Sequence, residues 1–328
     1  MKKKFIITID TEGDNLWEVR NSEKSMSRIS NRNGAYIERF HLLCEKYGYI
    51  PTYLTNYEMA LSEPFRDLAR AGVKDHKLEI GMHLHAFNSP PLYNLTDRRG
   101  GNKAYAGEYP LAVLDKKIEY LTKFLEDNFQ TPIKSHRGGR WYIDAEYIGL
   151  LAKHGYTVDC TVTPGMDWRD NKGQTQDSKG IDYRGFPKSA YEMSTREPAR
   201  HGKSGMVEVP VTVKADLSVR KYARAMLWGE KSTFGKWFRP TGNNLNELIE
   251  IVEWNKKKKT DYIEFMLHSS ELMPGGSPTF AYEWQIERLY DELEELFAYM
   301  SADYEGVGLT DYAARFLTKG KQGGFSCR

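Results

Sequence analysis

The sequence predicts an α/β protein built around a parallel sheet or barrel, and three observations support this. Short apolar or β-branched runs alternate with longer amphipathic stretches along the 328 residues, as strands alternate with helices in such folds. Eight runs have strand character, a number that suits barrel-like closure. Polar residues end several of these runs, and the carboxyl ends of the strands in a barrel surround a single cup.

The predicted strands lie at 4–8, 50–55, 77–85, 133–137, 157–162, 206–213, 262–268 and 306–310. Between them, apolar residues recur at helical spacing. The predicted helical segments are 36–44, 114–125, 143–151, 245–252 and 284–296. We therefore predict a single domain over 1–320, followed by a polar, glycine-rich and flexible tail at 321–328.

Two long segments interrupt this alternation. Residues 86–109 and 163–205 are rich in turn-forming residues and have no clear periodicity. The first segment directly follows His85, so we expect it to form a loop that shapes a substrate site at the strand ends.

Composition limits the classes of function. The net charge of +2 gives no strong field for nucleic acid, and no run approaches the roughly 20 apolar residues of a membrane span. The apolar run near the N-terminus is interrupted by Asp10 and Glu12 and lacks a cleavage site, so we interpret it as a strand rather than a secretion signal. Three scattered cysteines argue against a disulfide framework and a thiolate zinc site. We expect a cytoplasmic protein, and its oligomeric state stays open.

Two acidic residues and two histidines stand at alternate positions of two predicted strands. Residues two apart on a strand point to the same face, so Asp10 projects with Glu12 and His83 projects with His85. A single buried histidine is usually a core residue, and a single aspartate after a strand is usually a turn or cap. Six polar residues share the strand-end position, however, which favours a site that binds a hydrolytic divalent metal. They are Asp10, Glu12, His83, His85, Arg137 and His268.

Five segments occur in the order and approximate spacing of the motifs of NodB-type polysaccharide deacetylases, carbohydrate esterase family 4. They read TIDTEG, EIGMHLH, SHRGGRWYID, CTVTPG and FMLHSSE. The chain resembles this family from residue 4 to about residue 271, and it is most similar to the branch associated with surface-glycan biosynthesis. The resemblance implies a distorted TIM-like (β/α) barrel of seven or eight strands. It also implies a divalent metal, most commonly Zn²⁺, and removal of the acetyl group from an N-acetylated amino sugar.

The resemblance assigns roles to the acidic and imidazole residues. Asp10 corresponds to the catalytic base, Glu12 to the acidic metal ligand and His83 to the first metal histidine. The family usually has aspartate where this chain has Glu12. Its second histidine normally lies four residues after the first, where this chain has Phe87, so we expect His85 to serve in its place.

The later motifs supply the remaining expected site residues. Arg137 matches the arginine that orients the base, and His268 matches the general acid. Trp141 lies where the family has an aromatic wall of the sugar pocket, and Leu267 lies where a leucine lines the acetyl pocket.

Two further polar residues are weaker candidates. Glu271 follows His268 closely and is expected to contact substrate. Asn88 follows the second motif and is a candidate to bind substrate or metal.

Three functions remain open at this point. The first is a metal-dependent hydrolase that removes an N-acetyl group from an amino sugar in a surface glycan or its precursor. The second is a hydrolase of another C–N bond, of the cyclic imide or ureide type, which the irregular second motif would suit. The third is a catalytically inactive glycan-binding protein. No GxSxG nucleophile motif occurs, which disfavours a serine esterase.

Overall fold

A curled sheet of mainly parallel strands organises the fold. The computed structural model describes residues 2–16, 29–100, 103–215 and 235–323. The strands are β1 (Lys3–Thr11), β2 (Pro51–Thr55), β3 (Glu79–Leu84), β4 (Ser135–Gly138), β5 (Val158–Asp159), β6 (Tyr191–Glu192), β7 (Val207–Glu208), β8 (Val213–Ala215), β9 (Gly235–Trp237), β10 (Tyr262–His268) and β11 (Tyr304–Gly306).

The order of strands across the main sheet is β10, β1, β2, β3, β4, β5, β7 and β6. The first seven of these are parallel to their neighbours, and β6 is antiparallel to β7. The short strand β11 pairs with the beginning of β1, whereas β8 and β9 form a separate antiparallel pair.

Hydrogen bonds also connect β10, at one end of this sheet, to the segment that follows β7 near the other end. After β7, the amide of Thr212 donates to the carbonyl of Glu264 in β10 at 3.4 Å, and the amide of Glu264 donates to Thr212 Oγ1 at 2.9 Å. Phe238 continues this link, because its amide donates to the carbonyl of Thr212 at 3.0 Å. These contacts curl the sheet into a barrel-like enclosure, and the predicted α/β fold class is confirmed.

Helices connect the parallel strands. They are α1 (Ile37–Lys46), α2 (Glu63–Lys74), α3 (Leu111–Phe129), α4 (Ala145–Lys153), α5 (Leu245–Lys256), α6 (Glu283–Met300) and α7 (Leu309–Gly323). The five predicted helical segments fall on α1, α3, α4, α5 and α6, and their ends differ from the observed boundaries by at most four residues. None of the helices within the described ranges is long and apolar enough to cross a bilayer.

Helix α2 was not predicted, because small residues carry much of its packing. Its buried positions are Phe65, Ala69 and Gly72, which recur at helical spacing but include one large apolar side chain. A Cβ atom at Gly72 would lie 2.4 Å from a methyl carbon of Leu78, so the chain needs glycine for this close approach.

The prediction of a strand at 306–310 is wrong beyond Gly306. The strand ends there, and Leu309 begins helix α7. The first turn of α7 is hydrogen-bonded to the sheet. The amide of Leu309 donates to Thr52 Oγ1, and the amide of Thr310 donates to Glu79 Oε2. Helix α7 extends to Gly323, and the remainder of the predicted flexible tail, 324–328, lies outside the described residues.

Candidate active site

Strands β1, β3, β4 and β10 bring polar side chains together at their carboxyl ends. Asp10 of β1 is the register partner of His268 in β10, and His83 of β3 is the register partner of Arg137 in β4. All four side chains are buried. The parallel register thus places residues that are up to 258 positions apart in sequence at one edge of the sheet.

Glu12, His83 and His85 form a cluster that could hold a metal ion. One ligand atom from each residue lies within 4.8 Å of the others. Glu12 Oε2 is 2.8 Å from His85 Nε2 and 3.3 Å from His83 Nε2. The Phe87 ring, which takes the position of the family's second histidine, packs against the ring of His85 with centroids 5.3 Å apart.

The hydrogen bonds of this cluster favour metal binding. His83 Nδ1 is 2.9 Å from the carbonyl of Arg137 and donates to it, which orients Nε2 toward Glu12. Nε2 lies 3.3 Å from Glu12 Oε2, and either a proton or a metal cation between the two atoms would satisfy both. The chemistry of the donor set, two imidazole nitrogens and one carboxylate, is that of catalytic zinc sites.

The pKa values of the cluster reflect both burial and the charges within it. Burial lowers the pKa of His83, but the charge of Asp10 and the hydrogen bond to Glu12 raise it above its usual value. Burial lowers the pKa of His85 to about 4, so the imidazole is neutral and able to coordinate at physiological pH. Burial alone would raise the pKa of Glu12, but hydrogen bonds from His83 and His85 hold it well below its usual value. The carboxyl group is therefore ionised.

Arg137 lies beneath the cluster and binds Asp10. Its Nη1 donates to Asp10 Oδ1 at 2.7 Å, and its Nη2 donates to Glu264 Oε1 at 2.5 Å and to Thr8 Oγ1 at 2.8 Å. The arginine is completely buried. Burial would raise the pKa of Asp10, but the charge of Arg137 and the nearby histidines bring it below its usual value, which keeps Asp10 ionised.

His268 is held by a buried carboxylate. Its Nδ1 lies 3.1 Å from Glu271 Oε2 and 3.2 Å from Arg239 Nη2, and its Nε2 lies 3.7 Å from Asp10 Oδ2. Arg239 Nη2 donates to Glu271 Oε1 at 2.6 Å. Burial would raise the pKa of Glu271, but Arg239 and His268 lower it to about 2.

Glu271 therefore has a different position from the one that the sequence predicted. The side chain is 1% exposed and does not line the cavity, because the 3-10 turn Ser269–Leu272 folds it back beneath His268. Its carboxylate accepts from the amide of His268 at 3.0 Å and lies against the imidazole, which it helps to orient. Arg239 completes this chain of contacts. It was not predicted as a site residue, because it follows the three-residue strand β9, which is too short to show a clear sequence pattern.

A cavity of about 360 Å³ joins these groups. Asp10, Glu12, His83, His85 and His268 all line it. Its walls also include residues that were not predicted as site residues, most of them in loops. They are Leu16, Phe87, Lys103, Tyr105, Gly138, Arg140, Trp168, Asn171 and Arg239.

Trp141 lines the cavity as predicted for an aromatic wall. Its ring is 5.4 Å from Trp237, which in turn is 6.1 Å from Trp168, with the planes nearly perpendicular in both pairs. The backbone of Arg140 and Trp141 is left-handed, with φ values of 59° and 56°. Such conformations cost non-glycine residues on the order of 1–3 kcal/mol each, and they cluster at functional sites.

Leu267 and Asn88 do not line the cavity. Leu267 is completely buried, and alternation along β10 directs it to the opposite face of the strand from His268. Asn88 Nδ2 donates instead to Glu58 Oε1 at 2.9 Å. The predictions of an acetyl-pocket leucine and of a substrate contact by Asn88 therefore have no support from this cavity.

Glu58→Gln is expected to stabilise the protein by about 1–3 kcal/mol at pH 8 and by much less at pH 5. Burial raises the pKa of Glu58 to about 7, so the folded state holds this proton more tightly than the unfolded chain does. Wild-type stability is therefore lost as the pH rises from about 4.5 through about 7, whereas glutamine does not ionise. Urea denaturation at the two pH values measures the difference.

The exposed Glu119, in the middle of α3, provides the matched control for that change. Glu119→Gln should leave the stability within about 0.5 kcal/mol at both pH values. An equal gain from Glu58→Gln at pH 5 and pH 8 would contradict a raised pKa at this carboxyl.

Comparisons with known proteins find similar folds among solved structures, all at low sequence identity. No family model matches the chain, and no curated protein matches its sequence. A structure from Mycobacterium smegmatis assigned as a polysaccharide deacetylase aligns with a TM-score of 0.55 at 13% identity, and the match covers 97% of this chain and 92% of that one. A Parabacteroides distasonis structure assigned as a glycoside hydrolase or deacetylase aligns with a TM-score of 0.61 at 10% identity, over 95% of this chain and 70% of that one.

A third structure has another activity. The 4-alpha-glucanotransferase from Thermococcus litoralis aligns with a TM-score of 0.52 at 12% identity, over 96% of this chain and 40% of that one. The predicted resemblance to polysaccharide deacetylases is thus confirmed at the level of the fold. Because the same fold supports a different reaction in the third structure, function has to be argued from the site.

Proposed function

We propose that this chain, which has the fold of polysaccharide deacetylases, is a metal-dependent hydrolase that removes the N-acetyl group from an amino sugar in a surface glycan or its precursor. One observation carries the proposal: a buried cluster able to hold a metal shares a single cavity with an aspartate and a histidine suited to acid–base catalysis. The cluster is Glu12, His83 and His85, and the acid–base pair is Asp10 and His268.

The reaction needs an activated water, a polarised carbonyl and a proton for the departing amine. Glu12, His83 and His85 would hold the metal, most simply Zn²⁺. A divalent ion bound there would supply a Lewis acid and would lower the pKa of water from about 16 to about 7. The protein must supply the other proton transfers.

Asp10 is placed to accept the proton of the attacking water. It lines the cavity and lies beside the metal cluster, and the ion pair with Arg137 keeps it ionised. Because Arg137 Nη1 occupies Oδ1, the other carboxylate oxygen, Oδ2, is the one that faces His268 and the cavity.

His268 is placed to protonate the departing amine. Its Nδ1 lies against Glu271 and Arg239, so Nε2, which faces Asp10, is the nitrogen that we assign to proton transfer. Trp141 supplies an apolar face on which a sugar ring can stack.

The proposal is tested by acetate release and metal content. The purified protein is offered N-acetylated amino sugars beside cyclic imides and ureides, and released acetate or ring-opened product is measured. Acetate from an amino sugar supports the deacetylase. Turnover of the imides or ureides alone favours the alternative C–N hydrolase, and sugar binding without turnover or bound metal favours the inactive glycan-binding protein.

His85→Ala is expected to abolish the binding of one equivalent of zinc and to lower acetate release to background. The variant removes one of two imidazole donors, and the remaining Glu12 and His83 cannot complete the coordination of Zn²⁺. Equilibrium dialysis followed by elemental analysis measures the zinc. The exposed His201 offers a matched control, and His201→Ala should retain the full equivalent. Retention of zinc by the His85 variant would exclude this residue as a ligand.

A further inference from the structure

Two cations in the cavity wall have no ion-paired carboxylate among the residues that the structure describes. Lys103 Nζ donates to the carbonyl of Leu16 at 2.5 Å. Arg140 donates from Nη1 to the carbonyl of Lys103 and from Nη2 to the carbonyl of Lys172, at 2.8 Å in the second case. An ammonium group has three N–H donors and a guanidinium has five, so each side chain keeps donors for another partner.

Other arginines of the neighbouring loops are paired differently. Arg99, Arg169 and Arg184 each bind the aspartate two positions earlier, and they lie outside the cavity. Arg239 lines the cavity, and its charge is matched by Glu271. Lys103 and Arg140 thus differ from these four arginines in that backbone carbonyls, and no carboxylates among the described residues, hold them.

Both cations are half-buried, and burial lowers the pKa of each. A charge removed from water and left without a counter-charge is unfavourable, and an anion that entered the cavity would offset this. Glu12 attracts Lys103 from a distance, but His83 and His85 already bind that carboxylate. Glu108 attracts Arg140 in the same way, but its oxygens already accept from the amides of Tyr105, Gln174 and Thr175.

The guanidinium of Arg140 is fixed before any ligand arrives. Its Cζ lies 3.9 Å from the centroid of the Tyr105 ring, and two carbonyls hold its nitrogens. A planar guanidinium that is already stacked loses little freedom when it binds a carboxylate or a phosphate through two parallel hydrogen bonds.

Lys103 lies near the metal cluster, and Arg140 lines the same cavity. Lys103 Nζ lies 5.6 Å from the centroid of Phe87, and that ring packs against His85 at 5.3 Å. A sugar whose acetamido group faced Glu12, His83 and His85 would therefore present another substituent to Lys103 and Arg140.

We propose that the substrate of this site carries an anionic group, a carboxylate or a phosphate, which binds to Lys103 and Arg140. The inference rests on the proposed deacetylase function and narrows it to acidic or phosphorylated amino sugars. Neutral N-acetylhexosamine chains would be poorer ligands, because they leave the two cations unmatched.

Binding of matched sugars to the zinc-loaded full chain tests this inference. The probes are N-acetylglucosamine, its uronic acid, its 6-phosphate and its uridine diphosphate ester, with the galacto counterparts, and calorimetry gives each affinity. We expect at least one anionic probe to bind about tenfold or more tightly than its neutral counterpart, as charge-assisted hydrogen bonds allow. Preference for the uronic acid or for a phosphate identifies which anion is bound.

Variants assign the preference to these residues. Arg140→Gln and Lys103→Gln should each reduce the ratio of anionic to neutral affinity toward one. The controls Arg99→Gln and Lys77→Gln remove a charge from the surface and should preserve the wild-type ratio. A loosened loop would weaken both kinds of sugar together and would leave the ratio unchanged.

The outcomes separate this inference from the proposed function. If no anionic probe binds more tightly than its neutral counterpart, or if the ratio survives both variants, the inference is overturned. Acetate release measured on the same sugars is a separate reading. Acetate release without a preference for anionic sugars supports the deacetylase and excludes the anion site. A preference for anionic sugars without acetate release supports the anion site and contradicts the deacetylase.

Discussion

His268→Ala should lower the rate of acetate release from an N-acetylated sugar by about 100- to 10,000-fold, the range typical of general acid catalysis. The loss should depend on the leaving group. An amine departs only after protonation, whereas 4-nitrophenolate leaves without a proton. We therefore expect the variant to hydrolyse 4-nitrophenyl acetate at a rate much closer to that of the wild type.

Asp10→Asn provides the contrasting result. Activation of water is needed for both substrates, so the amide and the ester should lose rate together, again by about 100- to 10,000-fold. The asparagine keeps the shape of the side chain beside Arg137. The ratio of amide to ester rates thus distinguishes the proton donor from the proton acceptor.

A histidine that is also held by a carboxylate serves as the control. His154 Nε2 lies 2.6 Å from Asp115 Oδ1 and lies outside the cavity. His154→Ala should change neither rate beyond a small factor, and thermal melting should show that all variants are folded. Equal losses of amide and ester turnover in His268→Ala would remove the general acid from the proposal.

Arg137→Met should destabilise the folded protein by about 3–5 kcal/mol, the cost of breaking a buried ion pair by removing one partner. The variant leaves two buried carboxyl groups, Asp10 and Glu264, without the guanidinium that binds both. It also leaves the carbonyl of Cys160 without its donor. Urea denaturation with a linear extrapolation measures the change.

Neutralising the orphaned carboxyl should recover part of this loss. We expect the double variant Arg137→Met with Glu264→Gln to be more stable than Arg137→Met alone at pH 8, because burial raises the pKa of Glu264 to about 7 and glutamine cannot ionise. Arg200→Met, at an exposed arginine paired with Glu197, should change stability by less than about 1 kcal/mol. A comparably small change in Arg137→Met would mean that water reaches Asp10 and Glu264.

Much of the site could be predicted from the sequence because it follows from strand periodicity. The spacing of two placed Asp10 with Glu12 and His83 with His85, and the parallel barrel placed His268 beside the first pair. His85 joins the metal cluster because it lies one residue beyond β3, where the chain has not yet turned away.

The rest could not be read from local patterns. Lys103, Arg140 and Arg239 reach the cavity from loops or from the end of a very short strand, where tertiary contacts rather than periodicity set the direction of a side chain. The position of Glu271 could not be predicted for a related reason. The 3-10 turn that follows β10 directs its side chain back toward His268 and away from the cavity. Helix α2 was not predicted because its buried face is made partly of small residues.

The left-handed backbone at Arg140 and Trp141 has an evolutionary consequence. Glycine adopts a positive φ without strain, so replacing Arg140 or Trp141 by glycine would be among the simplest ways to raise the thermal stability of the protein. Each replacement would also delete a side chain that lines the cavity. Lineages that retain bulky residues at 140 and 141 would therefore be under selection for what the protein recognises rather than for how firmly it is folded.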